Sequence, residues 1–319
     1  STTFTGAIGT SATRLGTLTV GGTARYGSGV FTGEVYADTI TIGGTGATAV
    51  ATTGDFNNNV AFTTLNITAG TDDSDDDDEH ATATVSGNLT GTTIALIDAA
   101  DDGTSTLNLD SLTAAQTISA AITASEDGLG NVTVSNTGGT VTFSETIGSH
   151  STNLSVGTVS LAASSTTVFN KAVDSAAITA TTTASSTFNA AVTNSGAITT
   201  GVGSTTVFDS TVSSATLSNS GAMTLKGAVT LSGTMTTVSG STITLGSAFK
   251  AGSAAAITAA STSVGTLDQT VNAVTVNVNN QFTTGTVVLF KNTAAALDSD
   301  DLASFNVTDT AIVDYTAAL

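Results

Sequence analysis

The sequence predicts an all-β chain, folded as a right-handed parallel β-solenoid (a β-helix) of about twelve coils. Three observations point there. A motif recurs as STTVFNKAVDSAAIT at 165–179, SSTFNAAVTNSGAIT at 185–199 and STTVFDSTVSSATLS at 204–218, and a period of roughly 20–50 residues marks solenoids, propellers and arrays. The 319 residues include no Pro, which suits a chain made almost wholly of strand interiors, because Pro cannot donate to a ladder. About a fifth of the residues are Thr, a β-branched type that packs well on a half-buried pleated surface.

The strands follow from hydrophobic anchors. A large apolar residue, three intervening positions and a second apolar residue recur as Phe4/Ile8, Phe31/Val35, Phe56/Val60, Ile118/Ile122, Phe143/Ile147, Phe169/Val173, Phe188/Val192, Phe208/Val212, Leu225/Val229 and Leu245/Phe249. A third apolar position closes the unit at Ile40, Leu65, Leu154, Ile178, Ile198 and Leu217. Residues between the anchors, as in FNNNV and FDSTV, are Gly, Asn, Asp and Ser, which favour corners over helix. LTV at 18–20, ITI at 40–42, LNI at 65–67, VTV at 132–134 and VTF at 141–143 alternate apolar with polar, so one face points inward. Stacking such units at ~4.8 Å per coil makes a rod of roughly 55–60 Å, with a Phe ladder and a Val/Ile ladder inside. A propeller would need blades of about 40 residues, and a sandwich would carry tight hairpin signals such as Asn-Gly; the repeat is shorter than a blade and Asn-Gly does not occur.

Two regions result. Residues 1–266 form the repetitive solenoid, with an acidic loop at 71–80. Residues 267–319 carry further strands, in LDQTVNAVTVNVNN at 267–280 and TVVLF at 286–290, then AAALDSDDLASF at 294–305, read as a short helical turn. This region is expected to act as a cap or docking element, because an open solenoid end is an unpaired strand edge. The chain enters the repeat directly at Phe4, so the first coil is expected either to be covered by another subunit or to belong to a trimmed fragment. The opening STTFTGAIGT lacks the basic and apolar regions of a signal peptide, and no run of eighteen apolar residues occurs, so a mature chain or fragment without membrane insertion is expected.

Charge restricts the partners. Arg14, Arg25, Lys171, Lys226, Lys250 and Lys291 face 25 acidic residues, a balance that opposes binding to nucleic acid or anionic membranes. Cys is absent, which removes thiol chemistry and thiolate metal sites. The run TDDSDDDDEH at 71–80 places Asp72, Asp73, Asp75, Asp76, Asp77, Asp78 and Glu79 together. Such a block is either a solvated loop or a hard-cation site, calcium being the natural choice for clustered carboxylates. Asp298, Asp300 and Asp301 form a second acidic cluster that could serve a neighbouring subunit. His80 and His150 are read as surface residues. No catalytic or cofactor-binding constellation emerges, so enzymatic activity is not expected.

The Cys-free and Pro-free ladders of FNKAV, FNAAV and FDSTV, joined by Thr, Ser, Ala and Gly, resemble β-strand-repeat proteins of bacterial cell surfaces. That group includes S-layer proteins of Gram-negative bacteria and the passenger regions of large autotransporter adhesins. The resemblance implies an extracellular, cell-surface location and a structural or adhesive role, and it adds calcium as an expected cofactor. Two features depart from it: GGTGATAV at 43–50 has no Asp, unlike calcium-binding nonapeptide repeats, and no membrane-barrel series precedes Leu319. The expected function is that of a self-assembling subunit of a surface layer or extracellular filament. The alternatives are a stalk or passenger fragment of a secreted adhesin and, third, a polysaccharide-active β-helix enzyme. Expected partners are further copies of the chain and a cell-surface polysaccharide.

Overall fold

The computed structural model describes residues 1–22, 27–43, 51–70, 80–98, 103–149, 152, 154–237 and 241–245, together with five later strands, Ile257–Ala259, Ser261–Val264, Thr275–Val278, Phe290–Asn292 and Ser304–Val307. Among the described residues there are thirty-one strands and no α-helix. The strand pairings described below are parallel, an all-β architecture compatible with a β-solenoid. The chain forms two compact units, Ser1–Ala176 and Ala177–Leu319.

In the first unit, one ladder runs through Thr2–Phe4, Ser28–Phe31, Thr52–Phe56, Ala81–Val85, Ser105–Leu109, Asn131–Val134 and Val156–Leu161. A second begins at Leu15–Val20 and continues through Val35–Gly43, Thr64–Thr68, Leu89–Ile97 and Gln116–Ala124 to Thr140–Phe143 and Thr166–Phe169. Because side chains alternate along a strand, in-register pairing stacks like on like. Ile40, Leu65, Ile94 and Ile122 form one interior column, while Ile42, Ile67 and Leu96 form the next. Phe4, Phe31 and Phe56 stack face to face, with centroids 5.1 and 4.9 Å apart, and Phe143 stacks on Phe169 at 4.9 Å.

The second unit has a shorter period and three parallel ladders. Ser185–Phe188 pairs Thr205–Phe208, Ala222–Leu225 and Thr242–Leu245 in succession. Val192–Asn194 pairs Val212–Ser214 and Val229–Leu231. Ala197–Thr200 pairs Thr216–Asn219 and Thr234–Thr237. Phe188 and Phe208 stack at 4.9 Å, both buried. Polar side chains also stack inside this unit: Thr200 donates to Asn219 at 2.7 Å and Ser214 to Asn194 at 3.1 Å. Buried polar groups need such partners.

Three expectations require correction. Leu154 does not close a repeat unit; it forms an antiparallel bridge with Ser149, whose carbonyl accepts from the Leu154 N–H at 3.1 Å. A further anchor pair, Val85/Leu89, stands between Val60 and Ile118, in register with Phe56 and Val60. In the segment read as a helical turn, Ser304 and Phe305 lie in the strand Ser304–Val307, paired with Thr275–Val278. Residues 294–303 lie outside the described residues.

Candidate functional site

The seven carboxylates Asp72, Asp73, Asp75, Asp76, Asp77, Asp78 and Glu79 lie outside the described residues, as do Asp298, Asp300, Asp301 and His150. Among the described residues no group of three or more His, Asp or Glu side chains could hold a metal ion. His80, exposed, sits where the chain re-enters the ladder. Its Nδ1 accepts from the Thr104 N–H at 3.2 Å and its carbonyl from the Thr52 N–H at 2.8 Å. That arrangement ties rungs together.

Two features of the first unit could make contacts with other molecules. The first is the exposed apolar surface at Phe4 and Leu15. Among the described residues, Thr2–Phe4 pairs only with Ser28–Phe31, and Leu15–Val20 only with Val35–Gly43. Phe4 is covered by Phe31 on one ring face and remains 41% exposed, and Leu15 is 40% exposed, whereas Phe31 and Phe56, which occupy the same column, are 1% exposed. Ile8 accepts and donates only toward the next rung, through Tyr36 N–H and Glu34 C=O. Phe4 and Leu15 therefore keep apolar surface that the corresponding side chains of later rungs bury.

The second feature is a groove of about 500 Å³ at the corners, lined by Asn57–Asn59, Ser86–Asn88 and Asp110–Ala115. Three residues separate Phe56 from Val60 and Val85 from Leu89, but eight separate Leu109 from Ile118, the register partner of Leu89. The extra residues stand beside the two narrow corners as a wall. The narrow corners press closely on one another: a Cβ on Gly87 would lie 2.3 Å from the Asn58 carbonyl carbon. Asn59 Oδ1 accepts from the Asn88 N–H at 3.0 Å, and Asn88 Oδ1 accepts from the Thr117 N–H at 2.7 Å. Asn side chains thus bind each corner to the next.

The wall is held from behind. Buried Gln116 donates to the Val85 and Gly87 carbonyls at 2.7 and 2.9 Å, and buried Asn136 donates to Gln116 Oε1 at 2.7 Å and to the Ala114 carbonyl at 3.0 Å. Ser111 Oγ accepts from the Ala114 N–H at 3.1 Å. On the floor, Ser86 donates to Asp110 Oδ1 at 2.9 Å. Partial burial, with Asp110 nearby, raises the Asp55 carboxyl above its ordinary value. A separate carboxylate, Asp98, is buried where Leu89–Ile97 ends. Its two oxygens accept from the Ser105 and Gly130 N–H groups at 2.6 and 2.7 Å, tying the end of that strand to the start of Ser105–Leu109 and to the next rung.

Sequence reasoning missed the groove. Its signal is the irregular spacing between Leu109 and Ile118, which breaks the anchor rhythm. Compared with known proteins, the chain matches no family model, no curated protein and no solved structure.

Proposed function

We propose that this chain is a structural, extracellular protein of a bacterial cell surface, a subunit that assembles with copies of itself into a layer or filament. In this reading the parallel ladders wind as a right-handed solenoid of about twelve coils, without enzymatic activity. The observation that carries the reading is the in-register parallel stacking of like side chains, Phe31 on Phe56 and Phe188 on Phe208, which makes each rung a template for another of the same spacing. Covering Phe4 as Phe31 is covered would remove apolar surface from water, at about 25 cal/mol per Å². In this reading a second copy of the chain, whose strands offer the same spacing, can supply that cover.

Calcium enters this reading through charge. A protomer of net charge −19 repels its copies, and at ~0.15 M salt screening acts over about 8 Å, so contacts near Asp72–Glu79 need a neutralising cation. Carboxylate oxygens of that density suit calcium. Negative-stain microscopy of the purified protein, with and without calcium, tests assembly directly. Sheets or filaments are expected, and isolated particles under both conditions would overturn the reading.

A further inference from the structure

We infer that the corner groove of the first unit is a binding site for a neutral polysaccharide. The inference deepens the cell-surface reading by naming the class of molecule that the surface would engage, and it does not depend on self-assembly.

Chemistry selects the ligand. No Lys or Arg lines the groove, so phosphate, sulfate and uronate groups would meet no counter-charge, while Asp110 and the net charge of the protein would repel them. What the groove offers is hydrogen bonding in both directions. Asn57 is exposed and its amide is not used in holding the corners together. Asn58 spends only its oxygen, on the Asn59 N–H at 2.8 Å, and Asn88 only its oxygen, on Thr117. Their Nδ2 groups therefore remain as donors. Asp110 spends Oδ1 on Ser86 and keeps Oδ2 as an acceptor. Amide donors beside a carboxylate acceptor suit vicinal hydroxyls, each of which donates and accepts.

Shape adds to this. Leu112 is 76% exposed on the wall, an apolar plate at the side of a polar floor, which suits the C–H face of a sugar ring. A large apolar side chain so exposed has no packing role in its own unit. The wall is also preorganised: Ser111 closes its turn, Asn136 anchors the Ala114 carbonyl, and the Thr137 and Gly138 N–H groups both donate to the Ser111 carbonyl, at 3.2 and 3.1 Å. Cβ atoms on Gly138 or Gly139 would collide with the backbone of residues 112–115, so the following corner fits directly against this loop. A ligand entering the groove would not have to order it, which removes one of the usual costs of binding. Corners stacked about 4.8 Å apart present the amides as a short row, and a row suits a polymer better than a single sugar.

The test is titration of the whole chain with soluble neutral polysaccharides (dextran, yeast mannan and laminarin), followed by isothermal calorimetry and by amide NMR shifts. At least one is expected to bind, with shifts centred on Asn57–Asn59, Asn88 and Leu112–Ala115. Leu112→Asp and Asn57→Ala, both at exposed positions without a bond across the corners, are expected to weaken binding at least five-fold while leaving the circular dichroism and the thermal midpoint unchanged. Sedimentation of the same variants should match the parent protein, which separates failure here from failure of the assembly reading. Binding by none of the three polysaccharides, binding undiminished in both variants, or tighter binding of the anionic probe heparin would each overturn the inference.

Discussion

Gly54 and Phe56 share one interior column face: a Cβ at Gly54 would lie 3.1 Å from Phe56 Cε2 and 2.5 Å from Ile42 Cδ1. The pair recurs one rung away as Gly29 and Phe31, where the same Cβ would come within 3.0 Å of the ring. On the next rung the register partners are Ala83 and Val85, and on the rung after that Leu107 and Leu109. As the ring is lost, the neighbouring side chain grows. The column keeps its volume, as close-packed interiors require.

That exchange gives a first prediction. Gly54→Ala should cost about 1–3 kcal/mol by overpacking, and Phe56→Val about 3 kcal/mol by leaving a cavity. Combined, they rebuild the Ala83/Val85 pattern, so the double variant should lose at least about 1 kcal/mol less than the sum. Urea denaturation of the four proteins measures this, and simple additivity would show that the two sites do not share space.

Much of this packing was legible in the sequence, because like residues recur at like positions. Phe31 and Phe56 stack as their spacing implies, and Phe188 stacks on Phe208. Val85 was not legible as an anchor, because its aromatic volume had moved into Ala83 and its neighbours. Leu154 misled for the opposite reason: an apolar residue at a plausible spacing closes a local antiparallel bridge instead. The groove stayed hidden because its wall consists of residues that look like an interruption, and because the partners of Gln116 and Asn136 come from rungs 20–31 residues away.

Thr183 provides a second prediction. It has φ +63°, and Gly203, at the same place in the next turn of that ladder, has φ +73°. A left-handed conformation costs a residue with a Cβ about 1–2 kcal/mol, while Gly costs about 0.5–1 kcal/mol more chain entropy on folding. Thr183→Gly should therefore stabilise by about 0.5–1 kcal/mol, and Gly203→Ala should destabilise by about 1 kcal/mol. The nearest atom to a Cβ at Gly203 is Thr183 Cγ2 at 3.6 Å, so the cost is torsional and not a clash. Thermal midpoints decide it: a lowered midpoint for Thr183→Gly would contradict the argument.

Asp55 sets a pH dependence. Burial first, and Asp110 second, raise its carboxyl above the ordinary value, so the folded state holds the proton more tightly than the unfolded chain does. Stability from this group is therefore lost as pH rises from the ordinary carboxylate range through the raised value. Asp55→Asn should raise the thermal midpoint at pH 7, and the gain should vanish at about pH 3, below the ordinary Asp value. A gain of equal size at both pH values would assign the effect to something other than ionisation.

The proposed role of calcium at the run Asp72–Glu79 gives a further prediction. Titrating assembled protein with EGTA should abolish light scattering while the β-sheet circular dichroism stays constant, because the apolar columns of Phe, Ile and Leu need no metal. Scattering that persists after chelation would remove calcium from the account.

Sedimentation velocity across a hundred-fold range of protein concentration, comparing the parent chain with Phe4→Lys, tests the central claim most directly. Phe4 has one ring face against Phe31 and 41% of its surface exposed, so a charge there should oppose contact with a second copy while leaving the inner rungs folded. The parent is predicted to form larger species as concentration rises, and Phe4→Lys to remain monomeric with an unchanged circular dichroism spectrum. A parent chain that stays monomeric throughout, or a Phe4→Lys variant that assembles as readily as the parent, would contradict the proposal that copies of the protein associate through the apolar surface at Phe4.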